Sequence, residues 1–183
     1  MAQSYGARQT FGGLTIILLG GRWEKASLVQ MSSETAIFRC EKAEAWMATI
    51  RVMVVEDFAP FRRFIGAALE KNRDLQIVCE VSDGQEAVRK AQDLQPDLIL
   101  LDIGLPSLNG IAAARQIRSI APDTKIIFVT QESSPDVVQA GFETGAMGYI
   151  LKTRAESDLL AGIAEVLQGR QFVSDGLTAA GLI

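Results

Sequence analysis

From Thr49 onward, short apolar runs alternate with amphipathic stretches five times over, the sequence form of a parallel sheet with helices on both faces. The pattern predicts a first strand over Ile50–Val55. The segment after it opens with Pro60, suited to a first helical turn, and spaces Phe61, Phe64, Ile65, Ala68 and Leu69 by threes and fours, with Arg62, Arg63 and Lys71 on the opposite face. A second strand, Leu75–Val81, leads into Ser82-Asp83-Gly84, whose hydroxyl and carboxylate suit the cap of a helix carrying Ala87, Val88 and Ala91. The third, Leu98–Leu101, is apolar at every position, as for a strand covered on both faces, and runs straight into Asp102. After Asn109-Gly110 come a helix with Ile111, Ala114 and Ile117 on its stripe, a strand over Lys125–Thr130, and Ser134-Pro135 as cap and first position of a fourth helix. A fifth strand, Gly148–Leu151, precedes Thr153-Arg154-Ala155-Glu156, which has the spacing of a capping box for the last helix. Leu159, Leu160, Ile163, Val166 and Leu167 form its apolar stripe, and Gly169 lies where that helix should stop.

The first 47 residues do not share this pattern. Every proline and every aspartate lies after Met47, while both tryptophans, Trp23 and Trp46, lie before it. No period of 3.6 or 2 is sustained there, so residues 1–47 read as a loosely ordered extension with one short strand at Leu14–Leu19. A start assigned too far upstream, with Met47 the true first residue, explains the change equally well, leaving it open whether residues 1–46 are translated. The pattern thus divides the chain into an extension, a domain over residues 48–169 and a tail over 170–183.

Composition narrows the chemistry. With 18 Lys and Arg against 22 Asp and Glu, the formal charge of −4 gives no broad basic field for a phosphate backbone. The tail leaves no room for a helix-turn-helix, so no direct DNA binding is expected. The apolar run Leu14–Leu19 is far short of the roughly 20 residues of a membrane span, and glycines interrupt it as a signal peptide, so the expected location is cytoplasmic. Cys40 and Cys79 lack metal-ligand spacing and read as reduced thiols, Cys79 as core. Histidine is absent, which removes the commonest general base and zinc ligand and leaves carboxylates, hydroxyls and lysine.

In an open parallel sheet the functional crevice lies beyond the carboxyl ends of the strands. Here the first strand ends in Glu56-Asp57, the third in Asp102, the fourth in Thr130 and the fifth in Lys152. Three carboxylates at one edge repel each other unless a cation joins them, and hard oxygen ligands favour Mg2+. Singly, each residue has a plainer reading: Asp102 as a turn former, Lys152 as a solvated charge, Thr130 as strand filler, Tyr149 as core. It is the coincidence of these residues at several strand ends that argues for a site.

Five separated motifs occur in order: Val54-Val55-Glu56-Asp57; Leu98 to Pro106 with Asn109-Gly110; Ile126-Ile127-Phe128-Val129-Thr130; Gly145-Ala146-Met147-Gly148-Tyr149; and Ile150-Leu151-Lys152. Across residues 49–168 the chain resembles the receiver domain of bacterial two-component response regulators, closest to receivers of LuxR-type regulators. The resemblance implies an α/β, doubly wound, five-stranded parallel sheet of flavodoxin-like strand order 2-1-3-4-5. It implies Asp102 as phosphoacceptor, with Thr130 and Lys152 assisting. Asp57 and Asp102 would hold Mg2+ directly, Glu56 through water, and Gly104 through its backbone carbonyl. Thr130 and Tyr149 would form a switch with output through the face of the fourth helix, fifth strand and fifth helix. The partners implied are a sensor histidine kinase or phosphotransfer protein and an unidentified downstream protein; a homodimer is left open.

The competing reading is a receiver-shaped interaction scaffold that is never phosphorylated, disfavoured by the full acidic set together with Thr130 and Lys152. A phosphatase using an aspartyl phosphate would need a second acid two residues after the nucleophile, where Gly104 stands. A flavin-binding protein would need a Ser/Thr-rich loop where Glu56-Asp57-Phe58 stands. Two departures from the family pattern stand out. Thr153 replaces a proline that is often cis, which puts that geometry in doubt because a non-proline cis bond costs about 2.5–4 kcal/mol. Gln131 replaces a smaller residue and narrows the approach to the acceptor, predicting slow phosphotransfer or slow hydrolysis. Gln131→Ala should speed at least one of the two in a phosphorylation time course; unchanged rates for both would refute the idea.

Overall fold

The computed structural model describes residues 49–177 and, ahead of them, the two strands β1 (Gly6–Phe11) and β2 (Leu14–Leu19). The chain divides into two units, residues 1–48 and 49–183. In the first, β1 and β2 pair antiparallel, from Gly6 opposite Leu19 to Phe11 opposite Leu14. β2 coincides with the strand expected there, whereas β1 carries no alternation strong enough to announce it. Of the loose extension expected over residues 1–47, all but β1 and β2, including Trp23, Cys40 and Trp46, lies outside the described residues, as does the end of the tail beyond residue 177.

The second unit is a parallel sheet. Its strands β3 (Ile50–Val55), β4 (Leu75–Val81), β5 (Leu98–Leu101), β6 (Lys125–Thr130) and β7 (Gly148–Leu151) fall where the apolar runs predicted them. They are joined by α1 (Ala59–Leu69), α2 (Gly84–Leu94), α3 (Gly110–Ile120) and α4 (Pro135–Glu143), and α5 (Ala155–Leu167) follows β7. The order across the sheet is β4-β3-β5-β6-β7-β8, so the first five strands of this unit lie 2-1-3-4-5, the order the resemblance implied. Alternate side chains serve opposite faces. Met53, Val55, Ile99, Leu101 and Phe128 share one core cluster with α2, α3 and α4, while Val52, Val54, Leu98, Leu100 and Val129 share the other with α1 and α5. Cys79 is half-buried against the first of these. Among the described residues no helix is long and apolar enough to cross a membrane.

A sixth strand, β8 (Phe172–Val173), was not expected. It pairs parallel with Gly148 and Tyr149 at the outer edge of β7. Ser174, fully buried, extends this contact: its amide donates to the Tyr149 carbonyl at 2.9 Å, and its Oγ accepts from the Leu151 amide at 3.2 Å. Burial pushes the nearby Asp158 carboxyl up, but hydroxyls of Ser157 and Ser174 and the Arg154 guanidinium overcome it and hold the group below its ordinary value. Residues 172–177 of the tail are thus part of the folded layer.

The helix starts correct some expectations. Asp83 caps α2, its carboxylate accepting from the Gln85 and Glu86 amides, and Asn109 caps α3 through the Ala112 amide. Ser134 occupies the cap position of α4 but its side chain makes no capping bond. The capping box at Thr153 does not form: Lys152–Arg154 wind into a 3-10 turn, α5 begins at Ala155, and Arg154 stands at the cap without a side-chain bond. The starts of α2 and α3 press on the loop after β5. A Cβ at Gly84 would lie 1.8 Å from the Leu108 carbonyl oxygen, and one at Gly110 would lie 2.0 Å from that of Asp102.

Gly110→Ala should therefore destabilise by about 1–3 kcal/mol in urea unfolding, the usual cost of overpacking. Gly66→Ala is the contrast. A Cβ there meets only ordinary contacts at 3.8 and 3.9 Å inside α1, and the smaller entropy of the unfolded chain should add about 0.4–1 kcal/mol.

Candidate functional site

Because the strands are parallel, their carboxyl ends share one edge, and the register decides which residues meet there. Val55 pairs with Leu101, Leu101 with Phe128, and Thr130 with Leu151, so the residues that follow β3, β5 and β7 emerge side by side. Carboxylate oxygens of Glu56, Asp57 and Asp102 lie within 4.8 Å of one another. Glu56 is 1% and Asp102 5% exposed, whereas Asp57 is open to solvent.

The Lys152 ammonium stands between the two buried acids. It donates to Asp102 Oδ2 at 2.7 Å and to Glu56 Oε1 at 2.9 Å, and it lies 2.7 Å from Glu56 Oε2. The backbone finishes the frame. Ile103 donates to Asp102 Oδ1 at 2.7 Å, Phe58 donates to Glu56 Oε1 at 3.0 Å, and Arg62 Nη1 donates to the Glu56 carbonyl at 2.5 Å. Glu56 Oε2 is buried beside the ammonium, its charge met by that ion pair.

Burial is the main push on the Glu56 carboxyl and raises it; the Lys152 bond opposes, the Asp102 charge adds to the rise, and the net shift is upward. Burial alone would lower the Lys152 ammonium, but its bonds to Asp102 and Glu56 prevail and its net shift is also upward. Three carboxylates against one ammonium leave the site short of positive charge. An all-oxygen donor set that carries more negative charge than one ammonium balances suits a small hard divalent cation, and Mg2+ needs few protein ligands because it keeps several waters. Gly104 borders the same carboxylate: a Cβ there would lie 3.7 Å from Asp102 Oδ2.

Thr130 ends β6 at this edge, 2% exposed, with its Oγ1 accepting from the Glu132 amide at 3.3 Å. Tyr149 is fully buried, its ring tilted against Phe128 and Phe142 and its hydroxyl donating to the Glu132 carbonyl at 3.0 Å. Burial pushes its phenol well above the ordinary range, so it is a neutral donor at physiological pH. Gln131 is exposed between these two contacts, and the Lys152–Thr153 bond is trans. Sequence reasoning missed Phe61, whose ring centroid lies 5.0 Å from Lys152 Nζ, and Arg62 as a brace for Glu56. Both sit in the first turn of α1, where a helical stripe and a solvated charge explained them without any site.

Comparison with known proteins accords with this geometry. The family model for the response regulator receiver domain matches residues 52–164. The transcriptional regulatory protein LiaR of Bacillus subtilis is 37% identical over 120 residues, covering 66% of this chain and 57% of its own length. The response regulator protein VraR of Staphylococcus aureus is 32% identical over 121 residues, covering 66% and 58%. The chain thus spans little more than half the length of the curated relatives it matches. Among solved structures, a LuxR-family two-component response regulator from Aurantimonas sp. superposes with a TM-score of 0.69 at 30% identity, over 72% of this chain and 94% of that one.

Removing one partner of a buried pair leaves an uncompensated charge, so Lys152→Met should lose about 3–5 kcal/mol of folding free energy near neutral pH in chelator-containing buffer. Glu56 already has a raised carboxyl in the folded state, and losing Lys152 raises it further. The folded protein then binds more protons than the unfolded one as pH falls, so the deficit should shrink from neutral pH down toward the ordinary carboxylate range. Urea unfolding at neutral and at mildly acidic pH checks the magnitude and the sign.

Proposed function

This chain belongs to the response regulator receiver family, and from that premise we propose that it is a phosphoacceptor switch in which Asp102 takes a phosphoryl group from a phosphohistidine of a partner kinase or phosphotransfer protein. The observation that carries the reading is the Lys152 ammonium, bound to Asp102 and Glu56 at once in a buried acidic site. A receiver is not an enzyme turning over an outside substrate; it supplies the acceptor and the groups that stabilise transfer.

In that transfer an Asp102 carboxylate oxygen attacks phosphorus in line with the departing imidazole. The P–N bond breaks as the O–P bond forms, and the imidazole keeps the electron pair and takes up a proton. Lys152 follows the charge from the carboxylate to the phosphoryl oxygens, offsetting what accumulates there. The Thr130 hydroxyl, which here accepts only a long bond from Glu132, is free to rotate and donate to a phosphoryl oxygen. Asp57, Asp102, the Gly104 carbonyl and, through water, Glu56 are the groups that would hold Mg2+. When bound, the ion supplies charge neutralisation between the acids and the incoming phosphoryl oxygens.

Output follows from the contacts Thr130 shares with its neighbours. Drawing its hydroxyl toward a phosphoryl group releases the Glu132 amide, and the same residue's carbonyl is held by Tyr149. The face of α4, β7 and α5, with β8 laid along β7, is where that rearrangement would be read by a downstream partner. Carrying such a switch from nearly all off to nearly all on takes about 5.5 kcal/mol of differential stabilisation, within reach of several charge-assisted hydrogen bonds to a dianion.

Incubation with acetyl phosphate and Mg2+ should add one phosphoryl group to the chain by intact mass, and chelation or Asp102→Asn should abolish the addition. An adduct that survives in Asp102→Asn, or none in the native chain, would overturn this reading in favour of a scaffold.

A further inference from the structure

We propose that Phe61 is a positioning residue for the phosphoryl-transfer site: the Lys152 ammonium lies over its ring, and the ring so holds the ammonium where it bridges the two acids. The inference rests on the reading of Asp102 as the acceptor. An ammonium has three donors on a flexible four-carbon stem, and many rotamers would take it into solvent. Glu56 and Asp102 both accept from Nζ, and the Phe61 centroid lies 5.0 Å from the same atom. A cation within about 6 Å of a ring centroid is attracted by the negative face of the ring, which also displaces water that would otherwise compete for the third donor.

The ring is itself held. Phe61 stacks on Phe64, centroids 5.4 Å apart and planes at 26°, and it packs against the core cluster that α1 shares with β3 and β5. Its neighbour Arg62 grips the Glu56 carbonyl. One helical turn thus fixes both ends of the Lys152–Glu56 bridge, the acid through its backbone and the ammonium through an aromatic face. A purely apolar filler at position 61 would keep the packing and lose the electrostatic attraction.

Phe61→Leu and Phe61→Tyr separate those two roles, because both are apolar enough to pack at a half-buried helix position and only tyrosine keeps an aromatic face. Phe61→Leu should slow phosphorylation by acetyl phosphate with Mg2+ about three- to tenfold, inside the range a cation–π contact spans, while Phe61→Tyr restores the native rate. In parallel, the ε-methylene protons of Lys152 should show an upfield ring-current shift by NMR in the native chain and in Phe61→Tyr, and lose it in Phe61→Leu. Equal rates in all three chains would overturn the positioning role and leave Asp102 as acceptor untouched. Absence of the ring-current shift from the native chain would overturn the contact itself. That measurement needs no phosphodonor, so it judges Phe61 even if the native chain forms no adduct, an outcome that would strike the acceptor reading instead.

Discussion

One ammonium shared by two buried carboxylates sets the terms for everything else at the carboxyl edge of this sheet. Neighbouring strands lie about 4.8 Å apart, so β7 stands two spacings from β5 and three from β3, with the end of β6 between. Only a long side chain from β7 can meet acids from both, and Lys152 has that length. Glu56 has one methylene more than an aspartate, which lets the acid from the far strand come to the meeting point. Asp102, on the nearer strand, needs less reach. The residue types at the strand ends are therefore matched to the strand order, and a different order would leave buried carboxylates with no partner, a cost of several kcal/mol for each.

The same geometry explains why so much of the fold could be read from the chain. Strands covered on both faces appear as unbroken apolar runs, and each here ends on a polar residue that the edge of the sheet requires. Leu98–Leu101 ending at Asp102, and Lys125–Thr130 ending in its own hydroxyl, left little freedom in placing the strand. What escaped was held by tertiary contacts alone. Phe172–Val173 is a two-residue edge strand of half-buried side chains, and what secures it is the buried Ser174, whose value lies in the Leu151 amide it binds and not in its own hydropathy. The spacing of Thr153 and Glu156 fits a capping box, yet the chain leaving Lys152 must first turn sharply to put the ammonium over the acids, and a 3-10 turn takes the place of the cap. Phe61 escaped for the opposite reason: its place in an amphipathic stripe was fully explained before any site was considered.

The route from the acids outward is short and made of groups already in contact. Thr130 and Tyr149 hold the amide and the carbonyl of the same residue, Glu132, from two adjacent strands. The Tyr149 ring fills the space between Phe128 and Phe142, so the aromatic lies inward. On the other side, Lys152 is one peptide from the Leu151 amide that anchors Ser174, and Ser174 in turn sits beside Asp158 of α5. Under the proposed function, a change in the demand on Lys152 or Thr130 would pass through these contacts to the Glu132 backbone on one side and to Ser174 and α5 on the other. Packed interfaces of this kind respond by exchanging one arrangement for another, which is what a switch needs.

The remaining charge deficit explains why an exchangeable ion, and not a second fixed cation, completes such a site under the proposed function. A second lysine among Glu56, Asp57 and Asp102 would neutralise the cluster permanently and hold the acceptor oxygens in ion pairs that an incoming phosphoryl group would have to displace. A divalent ion with few protein ligands keeps water in its other positions, and those waters can give way to phosphoryl oxygens. The exposed Asp57, within 4.8 Å of two acids that share a single ammonium, is what such an arrangement would leave in the bare protein. Glu56 and Asp102 divide one positive charge between them while Asp57 stays open to solvent, so the cluster as a whole is short of the charge that balance demands.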